Sequence, residues 1–174
     1  DLTTDIACFG TVSLALEPGA SRYAALLKNL HRDGTFIALD PNIRPFYATK
    51  AHSDFLYSLL PSVDLLKLSD EEEEFLDHPE APIKVITCGP DGLIVHFNGQ
   101  TIEVTAPTIE VADTIGAGDT VIGCLLAEIH RRTGGKNVRS KTMEFAGEDW
   151  AEIASYAARA AAVTCTRVGA NPPT

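Results

Sequence analysis

The apolar positions of this chain alternate between two periods, and the alternation predicts its elements. Residues 5–12 ("DIACFGTV") are a nearly unbroken apolar run, the pattern of a short buried strand. In residues 17–35 the apolar Tyr23, Leu26, Leu27 and Leu30 fall at helical spacing, with Pro18 and Gly19 before them and Gly34 where a helix ends. "FIALD" (36–40) reads as a strand closed by Pro41, "HSDFLYSLL" (52–60) as a helix, and "VDLLKL" (63–68) as a strand. In "SDEEEEFL" (69–76), Ser69 is followed three residues later by Glu72, the signature of a capping box. Glu71, Glu73 and Glu74 beside it read as a solvated face.

"IKVITC" (83–88) and "GLIVHF" (92–97) are strands joined by a turn from Gly89 to Gly92, and "NGQ" (98–100) turns into the strand "TIEVTA" (101–106). A helix is predicted from about Gly116 to Arg132, and an alanine-rich one over roughly 148–165. Between them "TGGKNVRSK" (133–141) is polar and glycine-containing and reads as a mobile loop. Strand and helix alternate through the first ninety residues. That order predicts an α/β fold with a parallel-rich sheet, helices on both faces and an antiparallel hairpin at one edge. No internal repeat or linker divides the chain, so residues 1–174 are expected to form a single α/β domain.

Charge changes what this domain can bind. The formal net charge is −10 and the lysines and arginines are scattered, so neither nucleic acid nor an anionic membrane is an expected partner. Cys8, Cys88, Cys124 and Cys165 lie far apart in apolar runs without a C-x-x-C pair, which predicts buried, reduced thiols and a cytoplasmic location. No apolar run reaches membrane-spanning length, and the first residues lack the charged-then-apolar order of a signal. The chain enters a core strand almost at once and begins without Met, so it is expected to be part of a longer protein.

The chemistry concentrates in "DTIGAGDT" (113–120). If Gly116 opens a helix, the backbone N–H groups of Gly116, Ala117 and Gly118 point outward together at the positive end of the helix dipole. Small side chains would let an anion approach those amides closely. Asp119 beside them would repel a resting phosphate, but it is well placed as a base for a hydroxyl that attacks one. The bland reading, a glycine turn with an acidic first helical turn, explains Asp119 but not the missing side chains. A dinucleotide fingerprint fails because no third glycine follows Gly118 at the required spacing. A Walker loop fails at "TGGKN", where Asn137 follows the lysine.

"DTIGAGD" resembles the D-T-x-G-A-G-D signature of ribokinase-like (PfkB-type) carbohydrate kinases, and four further segments follow in that family's order. "FGTVSLALEPG" (9–19) and "DPNIRP" (40–45) are similar to fructokinase members in particular. "KLSDEEEEFL" (67–76) resembles the segment near phosphates and magnesium, "TCGPDG" (87–92) the turn beside the nucleotide, and "TRVGANPP" (166–173) the closing segment. The resemblance implies Asp119 as catalytic base and Gly116, Ala117 and Gly118 as the anion hole. It puts Thr87, Gly89, Gly92, Ser69, Glu72 and Thr114 on the nucleotide side, and Glu72 also near Mg2+ through water. It also implies that Arg44 faces the phosphoryl-transfer site and that Asp40 and Asn42 lie with it on the substrate and phosphate side. Asp113, Arg167 and Gly169 match positions around a monovalent cation, K+ being the ion implied. Local readings stay open beside these: a capping-box Glu72, a surface Arg44, turn formers at Asp40 and Asn42, and a plain tight turn at Gly89 and Gly92.

The resemblance implies ATP-dependent phosphorylation of a sugar hydroxyl, fructose to fructose 6-phosphate in the nearest case, with ATP and Mg2+ required. Family members are well over a hundred residues longer at the N-terminus. The expectation is therefore that this chain is the C-terminal nucleotide-binding and catalytic-base portion, without the N-terminal strands and sugar lid through which members often form homodimers. Alternatives are a 2-keto-3-deoxygluconate kinase, another sugar kinase of the family, or a non-catalytic nucleotide- or sugar-binding remnant.

Overall fold

A computed structural model describes residues 4–173. Six strands form one sheet in chain order: β1 (Ile6–Gly10), β2 (Phe36–Asp40), β3 (Leu65–Ser69), β4 (Ile83–Thr87), β5 (Leu93–Phe97) and β6 (Gln100–Val104). β1 to β4 run parallel, while β5 and β6 are antiparallel to their neighbours. Parallel neighbours need crossovers, and the chain supplies α1 (Gly19–Arg32), α2 (Lys50–Tyr57) and α3 (Asp70–Phe75) between them. The hairpin needs only two residues. Asn98 and Gly99 both take positive φ there, 47° and 70°, the pairing that suits the twist of the flanking strands.

Because side chains alternate along a strand, a sheet covered on both faces needs continuous apolar runs. β2 meets that demand with every residue buried. Phe36 and Ala38 join one core with Val121 and Leu125 of α4 (Ala117–Thr133) and Trp150 and Ile153 of α6 (Gly147–Cys165). Ile37 and Leu39 join the other, with Leu27 and Leu30 of α1 and Leu56 of α2. Among the described residues no helix is long and apolar enough to cross a membrane.

Three expectations need correction. The polar stretch 133–141 is not a loop throughout: α5 (Val138–Met143) forms in it, and Arg139 ties that helix to the sheet. Its guanidinium donates to the Asp64 carboxylate at 3.1 Å and to the Thr35 carbonyl at 2.6 Å. The cysteines are free but none is buried; Cys8 is exposed because β1 is the edge strand. Glu73 is not on a solvated face. It is buried and accepts from Lys84 at 2.7 Å, an ion pair between α3 and β4 that local charge counting does not reveal.

Parallel order brings the carboxyl ends of β1 to β4 to one edge of the sheet, where ligands of open α/β sheets bind. Gly10 there pairs with Asp40, and Ser69 with Thr87. A Cβ at Gly10 would lie 1.8 Å from the Asp40 carbonyl oxygen, so a side chain would push β1 away from β2. Gly10→Ala is expected to lower stability by about 1–3 kcal/mol in urea denaturation, the usual penalty for overpacking. An unchanged midpoint would show that the two strand ends can separate freely.

Candidate active site

The glycine loop is held from behind. Gly116 caps α4 with φ 81°, a left-handed conformation that glycine adopts without strain. Asp113 accepts from the backbone N–H of Ile115 at 3.0 Å and of Gly169 at 2.9 Å, and these bonds hold its carboxyl below the ordinary carboxylate value. The N–H groups of Ala112 and Asp113 donate to the Cys165 carbonyl. Thr120 donates to the Gly116 carbonyl at 2.8 Å and shares a 2.9 Å hydrogen bond with the buried Thr164 of α6. The start of α4 is thus fastened to the end of α6.

One expected amide is already engaged. The Ala117 N–H donates to the Thr114 carbonyl at 3.2 Å and closes the turn. Among the described residues, the N–H groups without an acceptor at this helix start are those of Gly116, Gly118 and Asp119. Of the expected Gly116–Ala117–Gly118 set, Gly116 and Gly118 keep free N–H groups, and Asp119 adds a third.

Two clefts meet at this loop. The first is polar and is bordered by Asn42, Arg44, Ser69, Glu72 and Asp119, with Lys67 at its wall. The second, about 440 Å³, is mostly apolar and is lined by Gly89, Gly92, Val111, Ala117, Ala158 and Ala162. Thr87, Thr114 and Gly118 border both, so the two form one groove. Asp119 also borders a third cavity with Cys8, Gly10, Tyr23 and Asp40 on its other side. The carboxylate at 119 is exposed where the polar cleft and this cavity meet.

Asp40 at the end of β2 and Lys67 in the middle of β3 form a buried ion pair, with Nζ 3.2 Å and 3.3 Å from the two carboxylate oxygens. Burial pushes the Asp40 carboxyl up to about 6. Lys67 opposes that shift, and the negative charges of Glu72 and Asp119 add to it. Lys67 is a site residue that motif reading missed. Its signal was present, a single lysine inside the apolar strand "VDLLKLS", where only a paired charge is expected to be buried.

Glu72 is buried and forms the predicted capping box: Oε2 accepts from the Ser69 N–H at 2.8 Å, and the Ser69 hydroxyl accepts from the Glu72 N–H. Its Oε1 accepts from the Ile43 N–H at 2.5 Å, which staples the 41–45 loop to α3. Asn42 has positive φ, and its carbonyl accepts from the Tyr47 hydroxyl. Arg44 is exposed, and among the described residues its guanidinium has no ion-pair partner. The Arg167 guanidinium donates to the carbonyls of Asn171 and Pro172 and so folds the chain around Gly169.

Comparison with known proteins matches this arrangement to a family. The family model described as pfkB family carbohydrate kinase matches residues 5–174. The fructokinase of Rhizobium leguminosarum bv. trifolii is 32% identical over 136 residues, covering 70% of this chain and 41% of its own length. Fructokinase-2 of Solanum lycopersicum is 26% identical over 180 residues, covering 94% and 52%. The crystal structure of a Xylella fastidiosa fructokinase with bound ATP superposes with a TM-score of 0.85 at 20% identity, covering 95% of this chain and 56% of that one. A Vibrio cholerae fructokinase solved with fructose, ADP and potassium ion superposes with a TM-score of 0.81 at 20% identity, covering 95% and 55%. The predicted ribokinase-like α/β fold is therefore observed. The chain spans about half the length, or less, of these relatives.

The raised Asp40 carboxyl has a consequence for stability. The folded state holds that proton more tightly than the unfolded chain, whose value is near 3.8. Ionised Asp40 therefore opposes folding above about pH 6, and this opposition fades as pH falls towards the unfolded value. The Tm of Asp40→Asn minus that of the parent should be more positive at about pH 7.5 than at about pH 4.5, whatever constant loss comes from leaving Lys67 without its carboxylate. A difference in Tm that does not change with pH, or that grows on acidification, would contradict the raised carboxyl.

Proposed function

The chain belongs to the pfkB family of carbohydrate kinases, and from that premise we propose that it is the nucleotide-binding and catalytic-base portion of an ATP-dependent sugar kinase. The observation that carries this reading is the place of Asp119. It stands between the unpaired amides of Gly116 and Gly118 on one side and a separate cavity on the other. A nucleobase fits the apolar cleft against Ala158 and Ala162, and its phosphates follow the groove past Thr87 and Thr114 to the helix start.

A hydroxyl presented from the cavity beside Asp40 can then reach a phosphoryl group held at the amides. Its oxygen bonds to the γ-phosphorus, and the bond from phosphorus to the bridging oxygen breaks. The electron pair leaves on ADP, and Asp119 takes the hydroxyl proton. The amides, aligned with the α4 dipole, favour charge as it develops on the transferring group. Arg44, at the rim and without an ion-pair partner among the described residues, supplies a fork of donors suited to phosphate.

Bound Mg2+ would neutralise phosphate charge. Glu72 fits an outer role towards it, because each of its oxygens accepts one N–H and keeps a lone pair for water. A monovalent ion near Asp113 and Gly169 would draw on backbone carbonyls there and on the lone pair that each Asp113 oxygen keeps after accepting one N–H. The fructokinase relatives support fructose as the acceptor, with a neutral sugar favoured by the two acids at that cavity. A homodimer in the cytoplasm is the setting we propose for the whole enzyme.

Asp119→Asn should lower sugar-dependent ADP formation by about 10²–10⁴-fold, the range for a lost general base. ATP affinity by calorimetry and Tm should stay close to the parent values. Turnover near the parent rate would remove Asp119 from the role of base.

A further inference from the structure

Gly118 is the middle of the anion-binding turn, and a phosphate needing close approach is one reason for its lack of a side chain. The structure provides another from beneath. A Cβ at position 118 would lie 2.8 Å from Lys67 Nζ, so the loop is open at that point to an ammonium group as well as to a ligand. That ammonium lies at the wall of the polar cleft with Gly118 and Asp119, and it is held there by both oxygens of Asp40.

Asp40 pairs with this lysine, and Glu72 and Asp119 border the same polar cleft, adding a small push to the Asp40 carboxyl that burial already raises. A buried ion pair is weak evidence for stability, because desolvation of two charges offsets their attraction. Its place at the ligand end of the sheet needs another account. An anion at the free amides of Gly116 and Gly118 would lie among these carboxylates, and one fixed cation below the loop would counter their repulsion.

We propose that Lys67 is the cation of the anion hole, contacting the terminal phosphate of a nucleoside triphosphate from beneath Gly118, with Asp40 as the residue that positions it. This inference rests on the kinase reading and adds a residue to its site. Lys67 then makes the cleft selective for a triphosphate over a diphosphate. The amides alone would favour any phosphate. Arg44 cannot substitute, since it lies exposed on a loop, whereas Lys67 is fixed within β3.

The test is isothermal titration of the chain with MgATP and with MgADP. The parent chain should bind both, ATP more tightly. Lys67→Met should lose about ten-fold or more of ATP affinity, the scale of one charge-assisted contact, while ADP affinity changes little. Because Lys67→Met leaves Asp40 buried without a partner, the double variant Asp40→Asn/Lys67→Met removes both charges and should fold with the same loss of ATP preference. Asp40→Asn alone should reduce the preference by a smaller factor, since the cation remains. Preference retained in a folded double variant would overturn the role of Lys67. Equal loss of ATP and ADP would show a merely structural pair, and a larger effect of Asp40→Asn than of Lys67→Met would reverse the assignment. A parent chain that binds neither nucleotide would remove the kinase reading itself.

Discussion

The site depends on one electrostatic constraint, the crowding of acids at the carboxyl ends of β2 and β3 and the start of α4. Glu72 and Asp119 lie close enough to act on Asp40, and burial removes most of the water that would screen that carboxylate. Each is settled differently. Asp40 takes the ammonium of Lys67, Glu72 takes two backbone N–H groups, and Asp119 stays exposed at the meeting of two cavities.

Topology makes that crowding possible. Parallel strands end on the same side, so residues far apart in the chain converge: Gly10, Asp40, Ser69 and Thr87 are the end residues of four successive strands. The α4 helix then brings its positive end to the same edge, fixed through Thr120 and Thr164 to α6. Without that fastening, the glycines would be the least constrained part of the site. With it, a loop almost free of side chains becomes a fixed set of amide donors.

Glycine serves two different purposes here. At position 10 it permits two strand ends to approach, where a Cβ would collide with the Asp40 carbonyl. At position 116 it permits a left-handed turn into α4. In both places the missing Cβ lets the backbone take a position that a side chain would oppose. The same edge therefore combines rigid backbone donors with a few charges whose positions depend on them.

Much of this was legible from the residues alone. Unbroken apolar runs marked the buried strands, Ser69 and Glu72 marked a helix start, Asn98-Gly99 marked the hairpin, and the Gly-Ala-Gly-Asp turn marked the likeliest chemistry, because each depends on contacts within a few residues. What sequence could not supply was anything that depends on neighbours distant in the chain. Lys67 looked like one lysine in an apolar strand until Asp40, from the neighbouring strand, was seen beside it. Glu73 looked solvated until Lys84 of β4 reached it. The Ala117 amide looked free until the turn to Thr114 closed. Local pattern fixes elements because their hydrogen bonds are local, whereas the pairing of buried charges and the cavities on the two sides of Asp119 arise only once the sheet has brought separate strands together.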